Sequence, residues 1–356
     1  MELIYLSLTK VFLASAITFF IGMVITPLLT TYLYKNKMWK KKSGKVAPDG
    51  CETPIFNELH KDKEVGTPRF GGVIIWGSVL IVTLIFWLLP LLWPSASKFN
   101  FLSRNQTWLP LFTLLIGALV GLIDDWRQVK AEQDCQKAGL SFTNRLSVVV
   151  VLGLIGGYWF YFKLGMIAIT LPFIGPLTLG WLIIPLFILV MIALFSSGVI
   201  DGLDGLAGGV MAIIFASYTV IAFFQNQIDL AAFCGAVTGG LLAFLWFNIP
   251  PARFYMSETG ILGLTTALTV VAFLTDSVAT LPIIALPLVA TALSVLIQLL
   301  SKKFRNGKKV FKVAPLHHHF EALGWPSYKV VMRYWIIGIV FAIIGMIITL
   351  IGGPKI

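Results

Sequence analysis

Five acidic residues lie where long apolar runs of this sequence begin or end, and residues of this type can do phosphate chemistry. They are Asp124 and Asp125 in GLIDDWRQVK, Asp201 and Asp204 in SSGVIDGLDGLAGG, and Glu258 in FYMSETG. Carboxylates are hard oxygen ligands, and Mg²⁺ usually binds one or two of them together with water and substrate phosphate. The pattern therefore predicts a site for Mg²⁺, or for Mn²⁺ in its place, with phosphoryl chemistry and no structural zinc.

The alternative for these acids is a purely structural role, because Asp and Glu commonly cap helices and complement the helix dipole at the N-terminus. That role suits Glu258 and Asp204. It suits Asp124 and Asp125 less well, because they end an apolar run and would meet the negative end of the dipole. Two adjacent carboxylates at that position need a compensating cation.

The stretch PLHHHFEALGW, residues 315–325, contains three of the four histidines: His317, His318 and His319. Neighbouring residues on a helix are rotated by about 100°, so adjacent histidines do not share a face and a two-histidine zinc helix is not expected. The local sequence leaves two readings open. The stretch is either a solvated loop that happens to be rich in histidine or a functional segment, and its surroundings must decide between them.

Two glycine-rich segments precede apolar runs, GTPRFGG at 66–72 and DGLDGLAGG at 201–209. Glycine amides at a helix N-terminus can approach anionic groups closely. Neither segment matches the P-loop pattern GxxxxGK[ST]. For Gly208 and Gly209, close helix packing is the alternative explanation.

The elements that must position these residues are membrane helices. Hydrophobic residues make up 58% of the 356 residues and charged residues 12%, with a mean hydropathy of +0.89, whereas globular domains are about a quarter charged. We therefore predict an all-α integral membrane protein with a single domain over 1–356 and a small outer β-hairpin at 166–180. The runs that could cross a bilayer are 11–33, 72–92, 108–123, 146–163, 181–199, 207–224, 230–247, 260–275, 279–299 and 332–352.

The basic residues orient these runs. Of the 27 Lys and Arg residues, 22 fall in the loops 34–70, 124–145, 200–206, 248–258 and 301–333. By the positive-inside rule these loops are cytoplasmic and both termini are extracytoplasmic. The net charge of +11 then indicates contact with anionic membrane lipids and not with nucleic acid.

Taken together, the DD pair, DGLDGLAGG, GTPRFGG and above all PLHHHFEALGW resemble the polyprenyl-phosphate N-acetylhexosamine-1-phosphate transferases. The resemblance runs in order from about Lys61 to the end of the chain, and ten helices with both termini outside is the topology of that family. Its branch specific for muramoyl-pentapeptide is the most similar. The implied reaction transfers phospho-MurNAc-pentapeptide from UDP-MurNAc-pentapeptide to undecaprenyl phosphate and releases UMP, in the bacterial inner membrane with the active site on the cytoplasmic side.

The resemblance also implies roles for individual residues. It makes Asp124, with Asp125, the base or positioning group for the lipid phosphate, and it places the three histidines near the diphosphate. It places Asp201 and Asp204 in the nucleotide and catalytic pocket, with Glu258 and Asp201 at the metal. It places Lys63 and Thr67 over the nucleotide, and Asn248 and Tyr255 around uridine. A homodimer is a further expected partner.

Three departures from the family pattern stand out. Glu258 replaces the usual metal-binding aspartate of GDTGS, Gly198 replaces an asparagine of NLTDGLDG, and Arg69 replaces the threonine of PTMGG. These departures bear on metal affinity, rate and substrate. A sister transferase that uses UDP-GlcNAc remains the nearest alternative, and a non-enzymatic transporter, which would carry charges at mid-membrane, is a remote one.

Overall fold

A computed structural model describes residues 1–41, 65–131 and 139–353 of the protein. Within these ranges, ten helices are long and apolar enough to cross a membrane, which confirms the predicted fold class and number of spans. The helices are α1 Glu2–Lys35, α2 Gly72–Leu92, α3 Trp108–Lys130, α4 Phe142–Tyr158, α5 Ile183–Ser197, α6 Leu206–Phe224, α7 Ile228–Asn248, α8 Ser257–Leu274, the short α9 Leu281–Ile284, α10 Leu286–Phe304, the short α11 Leu316–Ala322 and α12 Ser327–Gly352.

The predicted hairpin is present after α4. Strand β1 (Ala168–Leu171) pairs antiparallel with β2 (Gly175–Thr178). The carboxylate of Asp276, in the turn after α8, accepts hydrogen bonds from the backbone N–H of Thr170, at 3.0 Å, and from its hydroxyl. The hairpin is therefore held at the end of the bundle where α8 ends, opposite the end where α8 begins.

Helix α8 is the centre of the bundle, because 89% of its span is buried inside the protein. It packs along α3 and also contacts α2 and α5. Glycines of α3 allow a close approach: a Cβ on Gly121 would lie 2.0 Å from the carbonyl oxygen of Glu258. Small residues commonly let membrane helices approach in this way. The last turns of α3 and the first turn of α8 are therefore fixed side by side.

The predicted end of the third helix at residue 123 is wrong, because α3 continues to Lys130 and contains Asp124 and Asp125. The apolar run does stop at Ile123, but the helix continues because both carboxylates have partners in other segments. The basic residues at its end, Arg127 and Lys130, suit the negative end of the dipole. The first helix also begins earlier than predicted, at Glu2.

Candidate active site

The GTPRFGG segment lies against the segment before α8. Backbone hydrogen bonds join the N–H of Tyr255 to the carbonyl of Pro68, and the N–H of Gly71 to the carbonyl of Tyr255, both at 2.9 Å. A Cβ on Gly72 would lie 2.2 Å from the backbone nitrogen of Gly260. The expectation of anion-binding amides is therefore wrong for Gly71 and Gly72, because Gly72 also donates its N–H to a carbonyl, at 3.2 Å. These glycines let two backbones meet, and Arg69 is thereby placed beside α8.

Asp125 joins this segment to α3 and α8. Its Oδ1 accepts a hydrogen bond from Arg69 Nε at 2.8 Å, and its Oδ2 accepts from the N–H and hydroxyl of Thr259 at 2.9 and 2.6 Å. Burial alone would lower the pKa of the Arg69 guanidinium, but Asp125, with Glu258 and Asp201, raises it above its usual value. Asp125 is fully buried, so its carboxylate holds the site together and Arg69 supplies the expected compensating cation.

Asp124 faces a second arginine. Its Oδ2 accepts from Gln128 Nε2 at 2.7 Å, and the backbone N–H of Leu140 donates to its Oδ1. Arg145 Nη1 lies 3.8 Å from Asp124 Oδ2 and also donates to Glu258 Oε1. Arg145 therefore bridges the carboxylates of α3 and α8, with a side chain that is 21% exposed. Arg145 was not among the predicted site residues, because only its contacts with Asp124 and Glu258 distinguish it from the other basic residues.

The aspartates after α5 lie close to the same end of α8. Asp201 Oδ2 accepts from the N–H of Ser257 at 2.8 Å, and Asp204 Oδ2 accepts from the N–H of Ala252 at 3.2 Å. Both aspartates are half-buried, in contrast to the buried Asp124 and Asp125. These two aspartates are therefore less enclosed by the protein than the DD pair.

Two of the three histidines lie against the same loop. The Nε2 atoms of His317 and His318 would be 2.5 and 2.8 Å from a Cβ on Gly202. On the other side of the His318 ring, Nδ1 lies 2.7 Å from Glu321 Oε2, and Glu321 accepts a 2.6 Å hydrogen bond from the Ser327 hydroxyl. A carboxylate at Nδ1 fixes the ring and directs Nε2 toward the loop. Glu321 belongs to the PLHHHFEALGW stretch but was not among the predicted site residues.

His319 points elsewhere. Its Nδ1 accepts from the N–H of Lys312 at 3.2 Å, and its ring packs against Phe311 with centroids 5.4 Å apart. Burial, and then the charge of Lys312, lowers the pKa of His319 from its usual value. The solvated-loop reading is wrong for the triplet as a whole, because α11 is a helix and buries His317 and His318.

The remaining predicted residues are distributed around this site. Asn248 is buried and braces the loop after α5, because its Oδ1 accepts from the Gly205 N–H and its Nδ2 donates to the Phe254 carbonyl, at 3.0 and 2.8 Å. Thr67 and Tyr255 are half-buried in the paired segments. Lys63 lies outside the described residues. Gly208 and Gly209 pack against the rings of Phe244 and Trp335, as the packing explanation held.

Comparisons with known proteins show the family of this chain. The Glycosyl transferase family 4 profile matches residues 107–276. The chain is 34% identical over 343 residues to the phospho-N-acetylmuramoyl-pentapeptide-transferase of Listeria innocua, covering 94% of this chain and 97% of that protein. It is 30% identical over 363 residues to that of Chloroflexus aurantiacus, covering 98% and 92%. This chain belongs to the phospho-N-acetylmuramoyl-pentapeptide-transferase family.

The structure shows side-chain contacts for two of the three residues that differ from the pattern of this transferase family. Arg69, where the pattern has threonine, is the partner of Asp125. Glu258, where the pattern has aspartate, reaches Arg145 and keeps a side chain that is 24% exposed. The third, Gly198, lies in the turn after α5, where a Cβ would lie 3.3 Å from Ile261 Cγ1. Nothing in the structure gives this glycine a chemical role.

Replacing Gly202 with alanine tests the packing of the histidines against the loop. A Cβ there would clash with two buried imidazoles, and small misplacements of catalytic groups are costly, so we expect turnover to fall about tenfold to a hundredfold. Gly77→Ala in α2 is the matched control, because its nearest contact would be Val73 Cγ1 at 3.9 Å. Normal turnover in Gly202→Ala would remove the loop from the site.

Proposed function

We propose that this chain transfers phospho-N-acetylmuramoyl-pentapeptide from UDP-MurNAc-pentapeptide to undecaprenyl phosphate and releases UMP. The product is a lipid-linked precursor of peptidoglycan. One observation carries the proposal: acids from α3, the loop after α5 and the start of α8 converge with two arginines and two histidines at one end of the bundle. The relatives' name supplies the sugar and peptide.

The reaction brings two anions together, since one phosphate oxygen attacks another phosphorus atom. Catalysis of such a step is mainly positioning and stabilisation of charge. Asp124 is proposed to act on the lipid phosphate. Because its carboxylate is buried beside Arg145, its contacts favour a positioning role over that of the base.

His317 and His318 are proposed to hold phosphate oxygens at the Asp201 loop. Glu321 favours the tautomer of His318 that has a proton on Nδ1, and it also stabilises the doubly protonated ring. In the protonated form, Nε2–H donates a charge-assisted hydrogen bond to a phosphate oxygen. The contacts of His319 support a role in holding residues 311 and 312 in place.

Glu258 and Asp201 are the residues proposed to hold Mg²⁺. Asp201 accepts a hydrogen bond from the N–H of Ser257, the residue before Glu258, and neither acid is fully buried, which fits the preference of Mg²⁺ for one or two carboxylates with water and phosphate. Over the described ranges, no group of three or more His, Cys, Asp and Glu side chains could enclose a metal ion. Bound Mg²⁺ would neutralise charge on the substrate diphosphate.

Metal removal should therefore stop the reaction. We expect exhaustive treatment with EDTA to abolish turnover, and we expect added Mg²⁺ or Mn²⁺ to restore it, because the donor set contains only oxygen. Zinc analysis of the purified protein should show none bound at stoichiometric level. Full turnover after chelation would remove the metal from the proposal.

The end of the bundle that carries the site is proposed to face the cytoplasm of a bacterium, with both termini on the other side of its inner membrane. The excess of Lys and Arg in the loops of that end supports this orientation. The same charge supports contact with anionic lipids. A homodimer is proposed as a further partner.

The donor is identified by offering sugars separately. Purified protein in detergent is given undecaprenyl phosphate and Mg²⁺ with either UDP-MurNAc-pentapeptide or UDP-GlcNAc, and UMP is measured. We expect release only with the first donor. Release only with UDP-GlcNAc would make the chain a sister transferase.

A further inference from the structure

We infer that Arg69 binds the diphosphate of the nucleotide substrate through the two Nη groups of its guanidinium. This inference rests on the proposed function and adds a substrate-binding residue to it. The starting observation is the hydrogen bond from Arg69 Nε to Asp125 Oδ1 at 2.8 Å. It occupies one of the five N–H donors of the side chain and leaves the four on Nη1 and Nη2.

The backbone around Arg69 is held on both sides. Its N–H donates to the carbonyl of Met38 at 2.9 Å, and the preceding Pro68 carbonyl accepts from Tyr255 at 2.9 Å. Asp125 lies in α3 and is fully buried, so its carboxylate also holds the Nε side of the guanidinium in place. The side chain is therefore pre-organised, so it loses little conformational freedom when a ligand binds.

The Arg69 guanidinium lies beside Asp125, whose other carboxylate oxygen binds Thr259, the residue after Glu258. The carboxylates of Glu258 and Asp201 both act on the Arg69 charge, which places the guanidinium in their field, and the side chain is 15% exposed. Among the described residues, Asp125 is the one side chain with which Arg69 forms an ion pair. A guanidinium presents its N–H groups as a planar fork, which matches two oxygens of a phosphate.

Charge favours the same ligand. Arg69 and Arg145 lie among five carboxylates, so an anionic substrate entering this site needs cations that are not already fully paired. Arg145 is shared between Asp124 and Glu258, whereas Arg69 binds one carboxylate by one nitrogen. The family pattern has a threonine at this position, and threonine carries no charge. Arg69 thus gives this chain a fixed phosphate-binding cation of its own.

Binding of UDP and of uridine to the purified protein in detergent separates this role from a structural one. We expect Arg69→Thr to weaken UDP binding about tenfold to a hundredfold, the usual scale for charge-assisted hydrogen bonds. Uridine affinity should stay within about twofold, because uridine has no phosphate. Arg69→Lys, which keeps the charge beside Asp125 but lacks the fork, should weaken UDP binding by an intermediate factor.

Arg127→Thr is the matched control, since it removes an exposed cation from the same helix as Asp125. Equal UDP affinity in the wild type and Arg69→Thr would overturn the role of Arg69 in binding. In that case, release of UMP by the wild type would still support the proposed function. Equal losses for UDP and uridine would also overturn that role and would leave Arg69 a structural residue. A wild type that binds UDP but releases no UMP contradicts the proposed function alone. A wild type that does not bind UDP overturns both.

Discussion

Glu258→Gln is expected to reduce turnover about a thousandfold or more. The change keeps the size of the side chain but removes the charge that is proposed to hold Mg²⁺ and that pairs with Arg145. A metal that stabilises phosphate charge contributes several kcal/mol to the transition state, so losing a ligand has a large effect. Glu258→Asp should retain activity, because it keeps the charge on the shorter arm that the family pattern has.

Turnover measured against Mg²⁺ concentration distinguishes the roles of Glu258. A metal ligand predicts that Glu258→Gln needs much more Mg²⁺, while Glu258→Asp shifts the requirement only slightly. A purely electrostatic role at the start of α8 would be worth about 0.3 to 1 kcal/mol and would leave the metal requirement unchanged. Near-normal turnover with an unchanged requirement would move the metal to the aspartates.

His318→Ala is expected to lower turnover about a hundredfold or more. The structure directs its Nε2 at the Asp201 loop and holds its Nδ1 on Glu321, and a positioned acid or charge-stabilising donor is worth this much. Glu321→Gln should cost less, about tenfold, because the amide can still accept the Nδ1 proton but does not stabilise a charged ring. Because His318 is buried against Glu321, its removal should also lower thermal stability, so turnover is compared at a temperature at which both proteins remain folded.

His319→Ala serves as the comparison within the triplet. Its contacts are with Phe311 and Lys312, so we expect a loss well below that of His318→Ala. Equal losses at both positions would contradict the division of the triplet that the structure shows. Near-normal turnover in His318→Ala would return the stretch to a structural role.

The sequence was sufficient for the bundle because hydropathy acts locally. Each apolar run predicts one helix that is long enough to span a membrane, and the break at Pro172 and Gly175 predicts the hairpin. The same signal misplaced the end of α3, because hydropathy falls at Asp124 whereas the helix depends on partners far along the chain. Arg69 and Thr259 are such partners, and no periodicity within α3 points to them.

The site divides in the same way. Residue types and motifs in the sequence predicted the acids and histidines as site residues. In the structure, Asp201, Glu258, His317 and His318 lie around one end of the bundle. No feature of the sequence ranks Asp125 as buried and Asp201 as half-buried, since burial depends on how the helices pack. Arg145 was hidden because one cation among 27 has no distinguishing pattern until its partners are in place.

The fate of the β-phosphate of the donor tests the central claim most directly. Purified protein is given undecaprenyl phosphate, Mg²⁺ and UDP-MurNAc-pentapeptide labelled with ³²P at the β-phosphate, and the organic and aqueous phases are counted. Transfer of a sugar phosphate moves the label into the lipid and leaves unlabelled UMP, in equal amounts, and this is the expected result. Label that remains in the aqueous phase as UDP while the sugar enters the lipid would show glycosyl transfer and would contradict the account.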